Sequence, residues 1–328
     1  MASALGTLRG RIITPSTSSG SFEKRGFHVK SLNTRDSLET VGKMFMAGYA
    51  CAAAAGTVAE AEHCIAQLPW QYQGFAYEGA GMGYAVRDGL PFGSSHHVAD
   101  FLRDRIDGHV YMIYVGVGWA MARLPRFRWK TLDNAMPDPI FRWLALDGYG
   151  FHQAYFKTNK YVHQHYQEPE FPWPGEGPAT YANRVIDQGI GRAMWFVGGA
   201  EPNRVADMID KFPQPRHADL YAGSGLAATY AGGANEGELR TFLRRAGAYA
   251  PHVAQGSVFA AAARVETNLV TEHTGLATRV LVGVTPQQAR EIFRDSRPAP
   301  KPDGDTPAFE LWRQRISAGV ATLQAANP

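Results

Sequence analysis

Hydrophobic positions recur along this chain at helical rather than strand spacing. Val205, Met208, Ile209 and Phe212 fall on one helical face, behind a Pro202 that suits the first turn after Glu201. Val98, Phe101, Leu102 and Ile106 repeat the pattern earlier in the chain. The apolar stretch Val110 to Ala122 reads as a buried helix. Its Val, Tyr and Ile residues also suit a strand, but the Ala-rich stretch Ala260 to Ala263, which occupies the corresponding place later on, favours the helix. A last helix is expected from Glu310 to Ile316, after a Pro-rich and Asp-rich loop from Asp295 to Phe309. Strand-type alternation is scarce apart from a short arm around Leu8 to Ile13. A mainly α fold follows.

Compared with itself, the chain shows five landmarks twice and in the same order. Val41-Gly42-Lys43-Met44 pairs with Ile190-Gly191-Arg192-Ala193, and Ile65 to Pro69 with Ile209 to Pro213. Tyr77-Glu78-Gly79-Ala80-Gly81 pairs with Tyr221-Ala222-Gly223-Ser224-Gly225, Phe101-Leu102-Arg103 with Phe242-Leu243-Arg244, and His109-Val110 with His252-Val253. The segment from Arg142 through Phe156 corresponds to Arg279 through Phe293. The expected organisation is an N-terminal arm (1–34), a first helical repeat (35–156), an inter-repeat loop (157–182), a second helical repeat (183–294) and a Pro-rich loop with a C-terminal helix (295–328). Gly79, Gly81, Gly83, Gly116 and Gly118 are each costly inside a helix, by about 1 kcal/mol relative to Ala. Close backbone approach would compensate, so two tandem diverged repeats are expected to pack through Gly and Ala faces as a pseudo-twofold helical body.

Composition agrees with a globular chain. Of 328 residues, 45% are hydrophobic and 19% charged, enough to bury a substantial core. The formal net charge of +3 is spread among acids, so nucleic acid is not an implied partner. The densest basic stretch is Arg123, Arg126, Arg128 and Lys130; it reads as a solvated rim, with a phosphate or an acidic carrier protein as the alternative. Cys51 and Cys64 form no metal or redox pattern, which argues against a disulfide framework and for a reducing, cytoplasmic setting. No apolar stretch reaches the roughly 20 residues that span a bilayer.

If one repeat carries the chemistry, polar residues that one copy has and the other lacks are the candidates. Glu78 faces Ala222, and Asp147-Gly148-Tyr149-Gly150-Phe151-His152 faces Val284 to Ala289 with no acid, tyrosine or histidine. Glu78, Asp147, Tyr149 and His152 are therefore the catalytic candidates. Buried, Glu78 would have a raised pKa suited to proton transfer; the bland alternative is a helix cap. His152 fits a base, a metal or haem ligand, or a core histidine. His163 and His165 could join His152 around a metal, but no HExxH or paired Cys supports such a site, and the cofactor stays open. His109 and the pair His96-His97 read as helix-start residues, and Ser94-Ser95-His96 as a turn. Aromatics including Tyr77, Trp119, Tyr155 and Phe156 could line an elongated apolar pocket, although core packing alone would account for them.

The stretches GFAYEGAGMGYAVRDGLPFG, HVYMIYVGVGWAMARLPRF and LALDGYGFHQAYF resemble a bacterial family of proteins associated with enediyne polyketide biosynthesis gene clusters. So do Phe22 to Lys30 and Tyr181 to Gly191, and the resemblance spans nearly the whole chain. It implies an enediyne biosynthesis protein acting on a conjugated polyene after an iterative polyketide synthase, by an oxidative or acid/base step. It also implies a membrane electron-transfer partner, placing the protein in the cytoplasm or at the membrane edge. A polyene-binding chaperone or scaffold that hands its ligand to such a partner is the alternative. The sequence leaves room for a homodimer and supplies no catalytic residues through the resemblance.

Overall fold

The computed structural model describes residues 20–90, 96–103, 109–299 and 304–326, and among them every regular element is helical. The arm around Leu8 to Ile13, the Ser94-Ser95 turn and Ile106 lie outside the described residues. A short helical turn, α1 (Phe22–Arg25), precedes α2 (Leu32–Ala54), α3 (Val58–Ala66), α4 (Gln73–Gly89), α5 (His97–Leu102) and α6 (His109–Met121). Then come α7 (Trp129–Asn134), α8 (Leu144–Phe156), α9 (Ala179–Val197), α10 (Pro202–Ile209), α11 (His217–Tyr230) and α12 (Glu236–Ala246). The chain ends with α13 (Ala250–Glu266), α14 (Glu272–Leu281), α15 (Pro286–Asp295) and α16 (Ala308–Ala326).

Local signals explain many of the boundaries. Glu201 caps α10, and Pro202 opens it as the pattern predicts. Ser31, Thr57 and Asn235 accept bonds from backbone amides at the starts of α2, α3 and α12. The stretch Val110 to Met121 is helical, so the strand alternative fails; its residues from Met112 to Met121 are all buried.

Seven helices form the inner wall in chain order: α2 packs on α4, α4 on α6, α6 on α8, α8 on α9, α9 on α11 and α11 on α13. The contacts are set by glycine pairs. Side chains two positions apart on a helix point about 200° apart, so a Gly-x-Gly pair bares the backbone on two opposite sides. A Cβ at Gly79 would overlap the Phe45 carbonyl on α2, and one at Gly81 would meet that of Ile113 on α6. Gly116 faces the Glu78 carbonyl on α4, and Gly118 that of Ala145 on α8. Gly148 and Gly150, Gly189 and Gly191, and Gly223 and Gly225 repeat the arrangement on α8, α9 and α11, the first of each pair facing the preceding helix and the second the following one. The glycines therefore join successive helices around the wall. They do not press one half of the chain against the other, as the sequence suggested; only the α8–α9 pair crosses between halves in this way.

Two polar ties close the wall. Arg264 of α13 donates to the carbonyls of Gln71 (2.7 Å) and Tyr230 (2.7 Å), and its guanidinium lies 4.1 Å from the Tyr230 ring centre. Lys30 reaches the Gly233 carbonyl (2.7 Å) and Glu238 (2.9 Å). The shorter helices α3, α5, α7, α10, α12 and α14 pack outside, and α15 and α16 cover α13. The order of long helix, short helix, 3-10 turn, glycine-rich helix, short helix and apolar helix runs from α2 to α6 and again from α9 to α13.

The cysteines correct the sequence reading. Cys51 and Cys64 are joined in a disulfide that links α2 to α3, so the cysteine pattern no longer argues for a reducing compartment. Spacing concealed it, because the two residues stand 13 apart on separate helices that only the turn at 55–57 brings together. The segment between Lys157 and Tyr181 wraps the body: Phe171 stacks on Trp129, and Trp173 on Trp143. Among the described residues no helix is long and apolar enough to cross a membrane.

Gly79→Ala should therefore lower the unfolding free energy by about 2 kcal/mol or more, since backbone rather than a flexible side chain occupies the space. Gly42→Ala, with open space around it, should raise it by roughly 0.5–1 kcal/mol. Urea unfolding of the two variants measures the contrast, and equal effects would remove the close-approach account.

Candidate active site

The inner wall surrounds a large cavity of about 280 Å³ that opens to solvent near Gly42 and Lys43. Rows at i, i+4 and i+8 face it, as one side of a helix must. These are Val41 and Phe45 on α2, Tyr111, Val115 and Trp119 on α6, and Asp147, Phe151 and Tyr155 on α8. Phe75 and Glu78 of α4, Arg192 and Phe196 of α9, Ala227 and Tyr230 of α11 and Ala260 and Ala263 of α13 complete the circuit. Filling such a space with side chains would gain several kcal/mol of packing.

Three buried ionisable side chains meet on this largely apolar lining. Arg192 bonds Asp147 Oδ1 through Nη1 and reaches Glu78 Oε1 through Nη2 at 3.2 Å. Trp119 Nε1 donates to the same Glu78 oxygen at 3.0 Å. The guanidinium lies 5.0 Å from the Phe151 ring centre, and Trp119 packs between Phe45 (4.4 Å) and Phe151 (5.1 Å). All three groups are buried. Burial pushes the Glu78 carboxyl above its usual 4.5; Arg192 pulls it down, and neighbouring Asp147 pushes it further up. Burial likewise raises Asp147 against the pull of Arg192. Two acids thus share one base in a low-dielectric enclosure, an arrangement able to hold a proton and release it to a bound molecule.

Glu78 is no helix cap: it lies in the sixth position of α4 with its carboxylate turned to Trp119 and Arg192. The neighbouring glycine places it, because Gly79 lets α4 approach α2 while Glu78 itself faces inward.

The structure divides the sequence candidates. Glu78, Asp147, Trp119, Tyr155 and Phe156 line the cavity together. Tyr149 does not; it points outward from α8, accepting a bond from Gln153 (2.8 Å) and packing on Trp129 and Phe171. Tyr77 also turns away, stacked on His109 at 3.8 Å and against Phe101. His152 stands behind the lining, its ring 4.8 Å from Phe156 and 5.6 Å from Trp119. Burial, with Arg123, Lys157 and Arg25 nearby, holds its pKa down at about 3, so it stays a neutral imidazole. The three metal candidates do not converge: His163 is exposed, and His165 packs on Phe212 at 4.3 Å. Among the described residues no group of three or more His, Cys, Asp or Glu is placed to hold a metal ion.

Arg192 is the residue that sequence reasoning passed over. Its pairing with Lys43 in the matched segments hides its chemistry, although a charged residue inside the apolar run from Ile190 to Val197 is a usable signal. The chemistry is therefore not confined to one repeat, the condition under which the candidates were chosen. The second half supplies the shared base, and it also buries Asp187 with Arg216 and a network of Asp219, Glu310 and Arg313. Charges outside the aligned landmarks, as in α16, had no counterpart to reveal them. At the helix α5 start, Asp88 rather than a histidine does the capping, accepting the His97 and Val98 amides. The basic stretch is partly neutralised as a rim, Arg126 by Glu168 and Lys130 by Asp133.

An all-helical wall around a central cavity that carries a buried cluster of two carboxyls and a guanidinium defines the class as an all-α fold. The chain belongs to a family whose model, described as "Protein of unknown function (DUF1702)", matches residues 4–320. No curated protein and no solved structure matches it.

Arg192→Met should lower the unfolding free energy by about 3–5 kcal/mol, because it leaves two buried carboxyls without their base. The pH dependence has a fixed sign. Raised carboxyl pKa values mean that the folded chain holds these protons more tightly than the unfolded one. Their contribution is then fullest below the ordinary carboxylate range and is lost as pH rises through the folded values. The stability difference between the parent and Glu78→Gln should accordingly shift in favour of the variant as pH rises from about 4 toward 7. A difference independent of pH would mean that Glu78 titrates like an exposed acid.

Proposed function

We propose that the protein takes a conjugated polyene into its central cavity and performs an acid/base step on it, with Glu78 as the proton-transfer group and Arg192 and Asp147 tuning it. One observation carries this reading: two buried carboxyls share a single guanidinium on the wall of an apolar cavity. The lining rings of Phe45, Trp119, Phe151, Tyr155 and Phe156 suit a flat conjugated chain. The volume lies near the lower edge of the roughly 300–1,000 Å³ typical of small-molecule sites. The resemblance to enediyne-associated proteins supports polyene chemistry downstream of a polyketide synthase, and a membrane redox partner would belong to the same setting. The twice-repeated order of helices supports descent of the two halves from one unit. Matched pairs support it too, since Tyr77 lies 5.9 Å from Phe101 and Tyr221 lies 5.9 Å from Phe242.

A second reading, a carrier that shelters the polyene without changing it, is favoured by the pairing of Arg192 with both Asp147 and Glu78, which already neutralises part of the cluster. The two readings separate on one variant. Glu78→Gln keeps the shape and should bind the polyene as the parent does, while turnover falls by about 10²–10⁴-fold. Product formation by purified protein, followed by absorbance of the conjugated system, gives the measurement. Unchanged turnover would exclude Glu78 as the proton-transfer group, and binding without turnover in the parent itself would select the carrier.

A further inference from the structure

We infer that the ligand of the central cavity is a monoanion, a linear apolar chain ending in a carboxylate, and that Lys43 pairs with that end. The inference rests on the reading of the cavity as a polyene site and adds the chemistry of one terminus. Among the described residues two cationic side chains line the cavity, Arg192 and Lys43. Their situations are opposite. Arg192 is buried and paired, one terminal nitrogen on Asp147 and the other on Glu78. Lys43 stands exposed on α2 beside exposed Gly42, on the part of the lining that solvent reaches. No acid among the described residues pairs with its ammonium. Glu39, one turn earlier on α2, also lines this rim, but one of its oxygens is taken by the Phe22 amide at 2.9 Å.

This layout fixes both the polarity of the ligand and its direction. Behind Lys43 the wall is aromatic and aliphatic and would hold an apolar chain. At the inner cluster two carboxyls face one guanidinium whose terminal nitrogens each already bond a carboxyl, so an anion entering head first would meet two like charges beside a cation that is already paired. An anionic head left at the rim keeps its hydration and gains the Lys43 ammonium, while the chain reaches inward toward Glu78. The sequence pairing adds a reason for the geometry. Lys43 and Arg192 are counterparts in the two matched segments, and both line the same cavity, Arg192 buried and neutralised by the protein and Lys43 at the exposed rim, left for a ligand.

The test uses cis-parinaric acid, a conjugated tetraene carboxylic acid that becomes fluorescent on leaving water, together with its methyl ester. Each is titrated into the full-length chain and into Lys43→Gln, Lys43→Arg and the cavity-filling Ala260→Trp. The parent should bind the acid about fivefold more tightly than the ester, the scale of a solvent-screened ion pair. Lys43→Gln should erase that preference without weakening the ester, Lys43→Arg should restore it, and Ala260→Trp should weaken both probes. Equal affinities in the parent, or a preference that survives Lys43→Gln, would overturn the inference and leave the cavity reading standing. If the parent binds neither probe, both the polyene reading and this one fail.

Discussion

Close approach of helix backbones is the constraint on which the rest of this structure depends. Each of α4, α6, α8, α9 and α11 carries a Gly-x-Gly pair whose members face opposite neighbours, so each helix can lie tightly against the one before it and the one after it. Ordinary side chains at those positions would meet carbonyl oxygens of the adjacent helix, and the wall would have to open. Glycine in a helix interior is unfavourable by about 1 kcal/mol per residue, and the pairs recur across five helices. Their unfavourable propensity is offset by the contact area that the tight wall gains, including the fully buried layer from Ile113 to Ala120.

The ionisable groups follow the same geometry. A buried guanidinium shared by two carboxyls is a high-stakes arrangement, because removal of the shared base strands both acids in a medium that cannot solvate them. The second half contains comparable clusters, such as Arg216 with Asp187 and Arg313 with Asp219 and Glu310. Those lie away from the cavity, within the packed body, and act as ties. What distinguishes Glu78, Asp147 and Arg192 is therefore their place on the wall of the large central cavity, not the possession of buried charge; Asp187 and Arg216 border only a space of about 10 Å³.

Much of the fold was legible in the sequence, because helical spacing is a local property. Pro202 behind Glu201, the apolar run from Val110 and the pairing of Tyr77 with Tyr221 each pointed to an element that is present. The partner of each helix was not legible. Gly79 and Gly81 announced a close approach but not its direction, and reading them as the seam between two halves was wrong for that reason. The site was half legible: Glu78 and Asp147 stood out by contrast with Ala222 and Val284, whereas Tyr149 stood out equally and faces outward. A contrast between matched segments detects a change of residue, but which way the side chain points depends on register within the helix. Arg192 escaped because it had a cationic counterpart and so presented no contrast at all.

On each inner helix the residues that set the spacing and the residues that line the cavity are different ones. Gly116 and Gly118 hold α6 in place while Tyr111, Val115 and Trp119 shape the interior, and Gly189 and Gly191 do so for α9 beside Arg192 and Phe196. Framework and interior are thus encoded independently within the same turn of helix. Exchanges among the lining positions can change the length and polarity of the chamber while the glycines that set the helix spacing stay in place, so the interior has room to diversify on a constant scaffold.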